Sequence, residues 1–474
     1  MANTHRLKRG VPHRMPIPKD DAAKTYAERY EAGKALRNAC PRAAHATWKQ
    51  PGHRPDAVKL VLEAEKGRRP DLLPLRHGRM VRSPFTFYRG AALTMASDLA
   101  STPATGIRVQ CCGDAHLCNF GGFATPERRI IFSINDLDET LPAPWEWDLK
   151  RLATSFIVGC RDNGMSESLA KDMATNCVRS YRESMAEFSQ MKTLELWHQA
   201  MWAEDLLTGI RDPGMRQRVI KRLEKERAKS RAEEMFPKLA ETRGNLHVIR
   251  DQLPTIFHDE AFPPGQIEKA IRDAVAGYRA TLSPAYQHLL DHYELRDIAI
   301  KVVGIGSVGT SCWVALFMSG ENDALFLQIK EARASVLEPY AGASKLSNHG
   351  QRVVDGYRIM QPYSDIFLGW TIGVKGRHYF VRQLRDTKIS PRVETFGRLE
   401  MDVFSGWCGK ALALSHARYG HSAMLSGYMG KSDTLDRAIA TFAVSYANQN
   451  EKDHAALQRA VRKGSVKAVF EEAA

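Results

Sequence analysis

Near residue 296 the sequence changes its period, and that change restricts the fold more than any other feature. From about 147 to 295, apolar residues recur every three to four positions, as on the buried stripe of a helix. Leu149, Leu152, Ala153, Phe156 and Ile157 form one such set; Leu169, Met173, Cys177, Tyr181 and Met185 form another. Then come short β-branched and aromatic runs, Asp297–Val303, Ser311–Phe317 and Leu325–Lys330, separated by glycine-containing turns. A run of period two does not fit an element of period 3.6, so the two textures belong to different layers. The fold class expected is α+β. Residues 190–295 are expected to stay helical, with breaks near Pro213, Pro254 and Pro263. The small sheet should carry one inserted helix near 346–361 and further strands near 370–374 and 378–384, before helices return at 398–418 and 433–462.

Ahead of the helical block, residues 1–80 read as an extension with helices near 20–38 and 56–66. A loop then leads into a helix presenting Ala92, Met95, Ala96 and Leu99, followed by short strands near 107–111 and 129–134. No apolar run approaches the ~20 residues needed to cross a bilayer, and the basic start lacks the apolar stretch of a signal peptide. The eight cysteines show no Cys-x-x-Cys pair or zinc-type spacing, so they are expected to be reduced, mostly buried thiols of a soluble cytoplasmic protein without a membrane partner. The net charge of +14 favours an anionic partner. It is spread along the chain instead of gathered in one polybasic block, which disfavours nucleic acid without excluding it.

Chemistry concentrates in residues 113–139: Gly113-Asp-Ala-His-Leu-Cys-Asn119, an apolar strand, then Asn135-Asp-Leu-Asp-Glu139. Asp114 and Asn119 stand five apart, the spacing of a catalytic base and a metal-holding amide in phosphoryl-transfer loops. A hard cation prefers carboxylate and amide oxygens, so Asn119, Asp136 and Asp138 are the candidate magnesium ligands. Asp114 would orient the attacking hydroxyl and accept its proton, with His116 beside it touching phosphate, acceptor or loop. The plainer alternative is a polar turn whose aspartate caps a helix. It leaves the clustering of acids and amide around two short strands unexplained. Asp148, at the start of a buried helix, is expected to be structural, accepting backbone N–H groups at its own helix start or from the loop above.

A second motif, Gly304-Ile-Gly306-Ser307-Val-Gly309, lies between two predicted strands, and a third strand ends at Lys330. A dinucleotide-binding loop would lead into a helix, and a Walker A loop needs a lysine before Thr310. Strand, glycine loop, strand and lysine instead suit a flap over nucleotide phosphates with Lys330 on the α/β-phosphates. A plain β-hairpin with permissive glycines is the competing reading.

These motifs, with Arg76–Met80, Phe87-Tyr-Arg-Gly90, Pro144–Leu152 and Arg352-Val-Val-Asp-Gly356, resemble a bacterial family known only as domain of unknown function 2252, over roughly residues 75–460. More distantly they resemble protein-kinase-like enzymes, above all small-molecule kinases of the aminoglycoside phosphotransferase kind. That resemblance aligns Gly113, Asp114 and Asn119 with the catalytic loop, Asp136-Leu137-Asp138 with the metal motif, and Asp148-Leu149 with the loop brace. It implies a two-lobed kinase-like fold, circularly permuted, because the glycine loop and Lys330 follow the catalytic loop.

The implied division is an N-terminal extension (1–80), a large helical lobe (81–295), a small β-rich nucleotide lobe (296–386) and C-terminal helices (387–474). The implied cofactors are ATP and Mg2+, with backbone of about 382–386 meeting the adenine and an unidentified hydroxyl acceptor as substrate. Glu338 and Asp355 are the candidate acids for pairing with Lys330. The competing functions are a metal-dependent phosphoesterase built on Asp114, His116, Asp136 and Asp138, a non-catalytic nucleotide binder, and a transferase of AMP.

Overall fold

The computed structural model describes residues 24–229, 232–244, 246–258, 266–302, 304–321, 323–384 and 388–471. Its first strands come as two antiparallel pairs: β1 (Arg108–Cys111) with β4 (Leu141–Pro144), and β2 (Phe120–Ala124) with β3 (Ile130–Ile134). A separate pair, β5 (Ala240–Arg243) and β6 (Leu246–Ile249), interrupts the region expected to be helical throughout. The remaining strands are β7 (Ile256–Phe257), β8 (Tyr293–Lys301), β9 (Cys312–Ser319), β10 (Ala324–Glu331), β11 (Gly369–Ile372) and β12 (His378–Gln383). They form one six-stranded antiparallel sheet in the order β11-β12-β10-β9-β8-β7. The protein is a mixed α+β fold, as its two textures require.

The sheet obeys the period that predicts it. Along β9, Val314, Leu316 and Met318 pack into one apolar cluster, while Ala315 and Phe317 pack into another on the opposite face. Along β10, Leu325 and Leu327 join the cluster of Ala315 and Phe317, and Phe326 joins the other. Alternation therefore puts Gln328 and Lys330 on the Phe326 face. Burying both faces makes these strands nearly continuous in apolar residues.

The helical part is organised around Trp145–Asp162, of which every residue from Trp145 to Cys160 is buried. Glu167–Phe188, Arg398–Tyr419 and Thr434–Arg462 pack on it. It ends in a paired cap at Gly164 (φ +71°), where the Gly164 N–H reaches Arg161 O and the Met165 N–H reaches Cys160 O. Two cations on this buried helix find partners at its edges: Lys150 donates to Thr102 Oγ1 (2.9 Å), and Arg151 reaches Asp114. No helix among the described residues is long and apolar enough to cross a membrane. The eight cysteines form no disulfide, and all but Cys118 are buried.

Some boundaries differ from those expected. Pro84–Gly90, expected as a loop, is a short helix with a capping box: the Thr86 N–H donates to Ser83 Oγ and the Ser83 N–H to Thr86 Oγ1. Proline at its first turn pre-sets the helical φ, a signal that outweighs the poor propensity of Phe, Thr and Tyr. The helix expected near 20–38 spans Tyr26–Ala35; its part before residue 24, and residues 385–386 of the segment assigned to adenine, lie outside the described residues.

The inserted helix, His349–Met360, joins the sheet to the early strands. Its start touches β12, where a Cβ on Gly350 would stand 2.3 Å from Tyr379 O. Its middle touches Thr140, where a Cβ on Gly356 would stand 2.2 Å from Thr140 Cγ2. Gly356→Ala is therefore expected to destabilise by about 1–3 kcal/mol through overpacking. Chemical denaturation would show it as a lower midpoint at unchanged slope.

Candidate active site

Strand register builds the loop of residues 113–119. In the β1–β4 pair Cys111 lies opposite Leu141, which brings the turn after β1 against Glu139. Gly113 is required there twice over: its φ is +82°, and a Cβ would lie 2.4 Å from Glu139 O. Asp148 fixes the same turn by accepting the Cys112 N–H (2.5 Å) and the Gly113 N–H (2.9 Å), while His416 Nε2 lies 3.2 Å away. Cys111, Asp148 and His416 would be close enough to share an ion. With both carboxylate oxygens already taken up by backbone N–H groups, the cluster acts as a brace for the loop.

Asp114 follows directly. Its Oδ1 accepts a bidentate contact from Arg151, 2.7 Å from Nε, and His116 Nε2 lies 3.9 Å from Oδ2. Burial pushes the Asp114 carboxyl up to about 6, against the pull of Arg151. Burial, reinforced by Arg89 and Arg151, holds His116 well below its ordinary value, so its ring is neutral near pH 7. Asn119 donates to the Asp114 carbonyl (2.8 Å) through its amide nitrogen, and its amide oxygen is an acceptor by chemistry.

The β2–β3 register brings the acids to the loop. Phe120 lies opposite Ile134, and the Asn135 N–H continues the ladder to Asn119 O at 2.7 Å. Asn119 and Asp136, seventeen residues apart in sequence, are therefore neighbours. From the large sheet, Lys330 enters the same place: its Nζ is 2.5 Å from Asp138 Oδ2 and 3.8 Å from Asp136 Oδ2, and the lysine is 3% exposed. Burial raises both carboxyls, while Lys330 opposes it. The pair resolves into one carboxylate held well below the ordinary range and one held above it. The two carboxylates outweigh burial at Lys330 and keep it charged. Asp138 Oδ1 is buried without a hydrogen-bond partner, so the acids have an oxygen to spare for a cation.

Neither acid expected beside Lys330 is there. Glu338 accepts the Ser335 N–H (3.1 Å) and faces His349 (3.8 Å), and Asp355 lines a different cavity. Glu331 points to the other face of β10, accepting the Ser311 N–H at 2.9 Å. The reason is the strand pleat together with the reach of Asp138, which takes the ammonium directly.

The glycine loop joins β8 to β9, adjacent antiparallel strands of the sheet. Gly304 and Gly309 have φ of +62° and +84°, so each needs the freedom of glycine. Residues 68–79 hold the loop: Arg68 donates to Gly306 O and Val308 O, the Arg69 N–H to Gly309 O, and Arg79 to Gly304 O, each at 2.7 Å. A cavity of about 470 Å³ lies below. Asp114, His116, Asn119, Asp136 and Asp138 line it from one side and Gly304, Gly306 and Ser307 from the other. Lys330 meets it through its two aspartates, and Gly309 sits outside it, packed against Arg68.

A sequence-family model described as an uncharacterized protein conserved in bacteria, DUF2252, matches residues 68–460. The chain belongs to this family. No curated protein and no solved structure matches it. The matched span covers every residue of the cavity named above and also the arginines that hold the glycine loop.

Several residues of the site escape a reading by motif. Arg151 orients Asp114; its sequence signals are its place in the Pro144–Leu152 segment and a cation on the buried stripe of a helix, three residues after Asp148, and neither names its partner. Arg352 donates to the carbonyls of Thr140 (2.5 Å), Asp138 (2.9 Å) and Arg333 (2.8 Å), so the inserted helix holds the acid segment by its backbone. Tyr357 and Arg382 both donate to Asn135 O, at 3.2 Å. Removing the brace should be costly, since Asp148→Ala leaves two buried N–H groups unpaired. A loss of about 3 kcal/mol or more is expected, read as a fall in the urea midpoint, and a change below about 1 kcal/mol would refute the bracing role.

Proposed function

We propose that this protein is an ATP- and Mg2+-dependent phosphotransferase acting on a hydroxyl acceptor, with a kinase-like site assembled from two lobes in permuted order. One observation carries the reading: a single cavity collects a carboxylate–amide loop, a pair of acids with a buried lysine, and a glycine hairpin. Such a transfer is mostly a matter of positioning and charge neutralisation, and these groups supply both. The phosphoesterase alternative uses the acids but has no task for the glycine hairpin or Lys330.

In this reading Asn119, Asp136 and Asp138 hold Mg2+, a hard cation suited to their oxygens. The ion would neutralise charge on the phosphates. The glycine hairpin covers the phosphates with its backbone, and Lys330 adds a fixed positive charge beside the acids. Asp114 orients the acceptor hydroxyl and takes its proton as the oxygen bonds to the γ-phosphorus and the bond to ADP breaks. Arg151 keeps Asp114 in place and ionised, and neutral His116 offers one further hydrogen bond.

Asp114→Asn is expected to lower turnover by about 10³-fold while leaving ATP affinity within threefold. Retained turnover in a folded variant would remove Asp114 from its role. Because the carboxyl sits at about 6, its base form is lost as pH falls through that value. Turnover should therefore rise from pH 5 to 7 with an apparent midpoint near 6. The deciding assay incubates the protein with Mg2+, a cell extract and ATP labelled in the γ-phosphate or in the adenine. Transfer of the γ label supports the reading. Transfer of the adenine label alone would make the protein a nucleotidyl transferase, and phosphate release from esters without nucleotide would make it a phosphoesterase.

A further inference from the structure

One cation in the cavity has no hydrogen-bond or ion-pair partner among the described residues. Arg89 closes the short helix Pro84–Gly90 and lines the cavity. Its main chain is tied on both sides. Arg151 Nη2 donates to the Tyr88 carbonyl (3.0 Å), and Arg76 Nη2 donates to the Gly90 carbonyl (2.8 Å). The capping box at Ser83 and Thr86 fixes the other end of the helix.

Its side chain is treated differently. Arg89 Nε is buried without a hydrogen-bond partner, and among the described residues no hydrogen bond or ion pair reaches the guanidinium; the Phe85 ring lies 6.0 Å from Cζ. The neighbouring arginines are all engaged: Arg68 and Arg333 on backbone carbonyls, Arg76 on Glu65 and Gly90, Arg151 on Asp114 and Tyr88. A half-buried guanidinium with idle donors has lost hydration without replacing it. Its planar fork fits phosphate oxygens in pairs.

The position of Arg89 selects the phosphate. Its carbonyl would lie 3.6 Å from a Cβ on Gly306, so the residue stands against the glycine hairpin. Its charge also acts on His116 and Cys118 of the catalytic loop. It therefore sits where the hairpin and the loop face each other. His116 brings a second buried, unpartnered atom there, Nδ1. Asp114, on the acceptor's side, is held by a different arginine.

We propose that Arg89 binds the terminal phosphate of the nucleoside triphosphate, with His116 Nδ1 as a neighbouring hydrogen-bonding group. This rests on the phosphotransferase reading and adds to it a residue that distinguishes triphosphate from diphosphate. The test is calorimetric titration of Mg-ATP and Mg-ADP into the full chain, Arg89→Ala and Arg89→Lys, with melting temperatures alongside. The wild type should prefer ATP. Arg89→Ala should weaken ATP by about 10- to 100-fold and leave ADP within threefold, and Arg89→Lys should recover only part of the preference. Should the alanine variant lose its fold, the lysine variant decides, since it keeps the charge but not the fork. An unchanged ATP-to-ADP ratio in a folded variant, or equal loss of both nucleotides, overturns the role of Arg89 alone. A wild type that binds neither nucleotide overturns the phosphotransferase reading together with it.

Discussion

The buried ammonium of Lys330 meets two carboxylates that the chain laid down almost two hundred residues earlier, and the relation between the sheet and the early strands depends on that meeting. A lysine taken out of water is costly unless opposite charge stands close, and two aspartates side by side repel unless a cation divides them. Each group removes the other's penalty. The arrangement is a junction as much as a site: β10 supplies the amine, the segment after β3 supplies the acids, and Arg352 and Tyr357 of the inserted helix pin the backbone between them.

The second support is the helix Trp145–Asp162, which serves the loop of residues 113–119 twice. Asp148 accepts the backbone N–H groups of the turn, and Arg151, on the same side of the helix by its spacing of three, holds the Asp114 side chain. Backbone and functional group are thus fixed from one rigid element. A helix buried on all sides has little freedom to shift, so the geometry of the loop follows from the packing of the core.

Much of this was legible in the sequence because it depends on local patterns. Alternation in Ser311–Phe317 marked β9, and three-to-four spacing around Leu149 and Phe156 marked the central helix. The offsets among Asp114, Asn119 and Asp136 correspond to proximity because a hairpin brings the segments together. What depended on distant packing was not legible. Glu338 and Asp355 are the acids the sequence offers beside Lys330, whereas the acid comes from Asp138 across the fold. Arg151 and Arg352 stand in segments shared with the family, but nothing local says what they bind; their roles arise only when a buried cation finds a carbonyl or carboxylate from elsewhere. β5 and β6 lie between helices in a polar stretch with little alternation, and their pairing shows only in three dimensions.

The hold of residues 68–79 on the glycine hairpin has a mechanical consequence. Four hydrogen bonds from Arg68, Arg69 and Arg79 secure carbonyls along the hairpin, so it cannot lift by itself. Arg79 is in turn clasped by Glu471 near the far end of the chain, 2.6 Å away. Opening the roof of the cavity thus means moving a clasp that joins early, middle and late parts of the polypeptide.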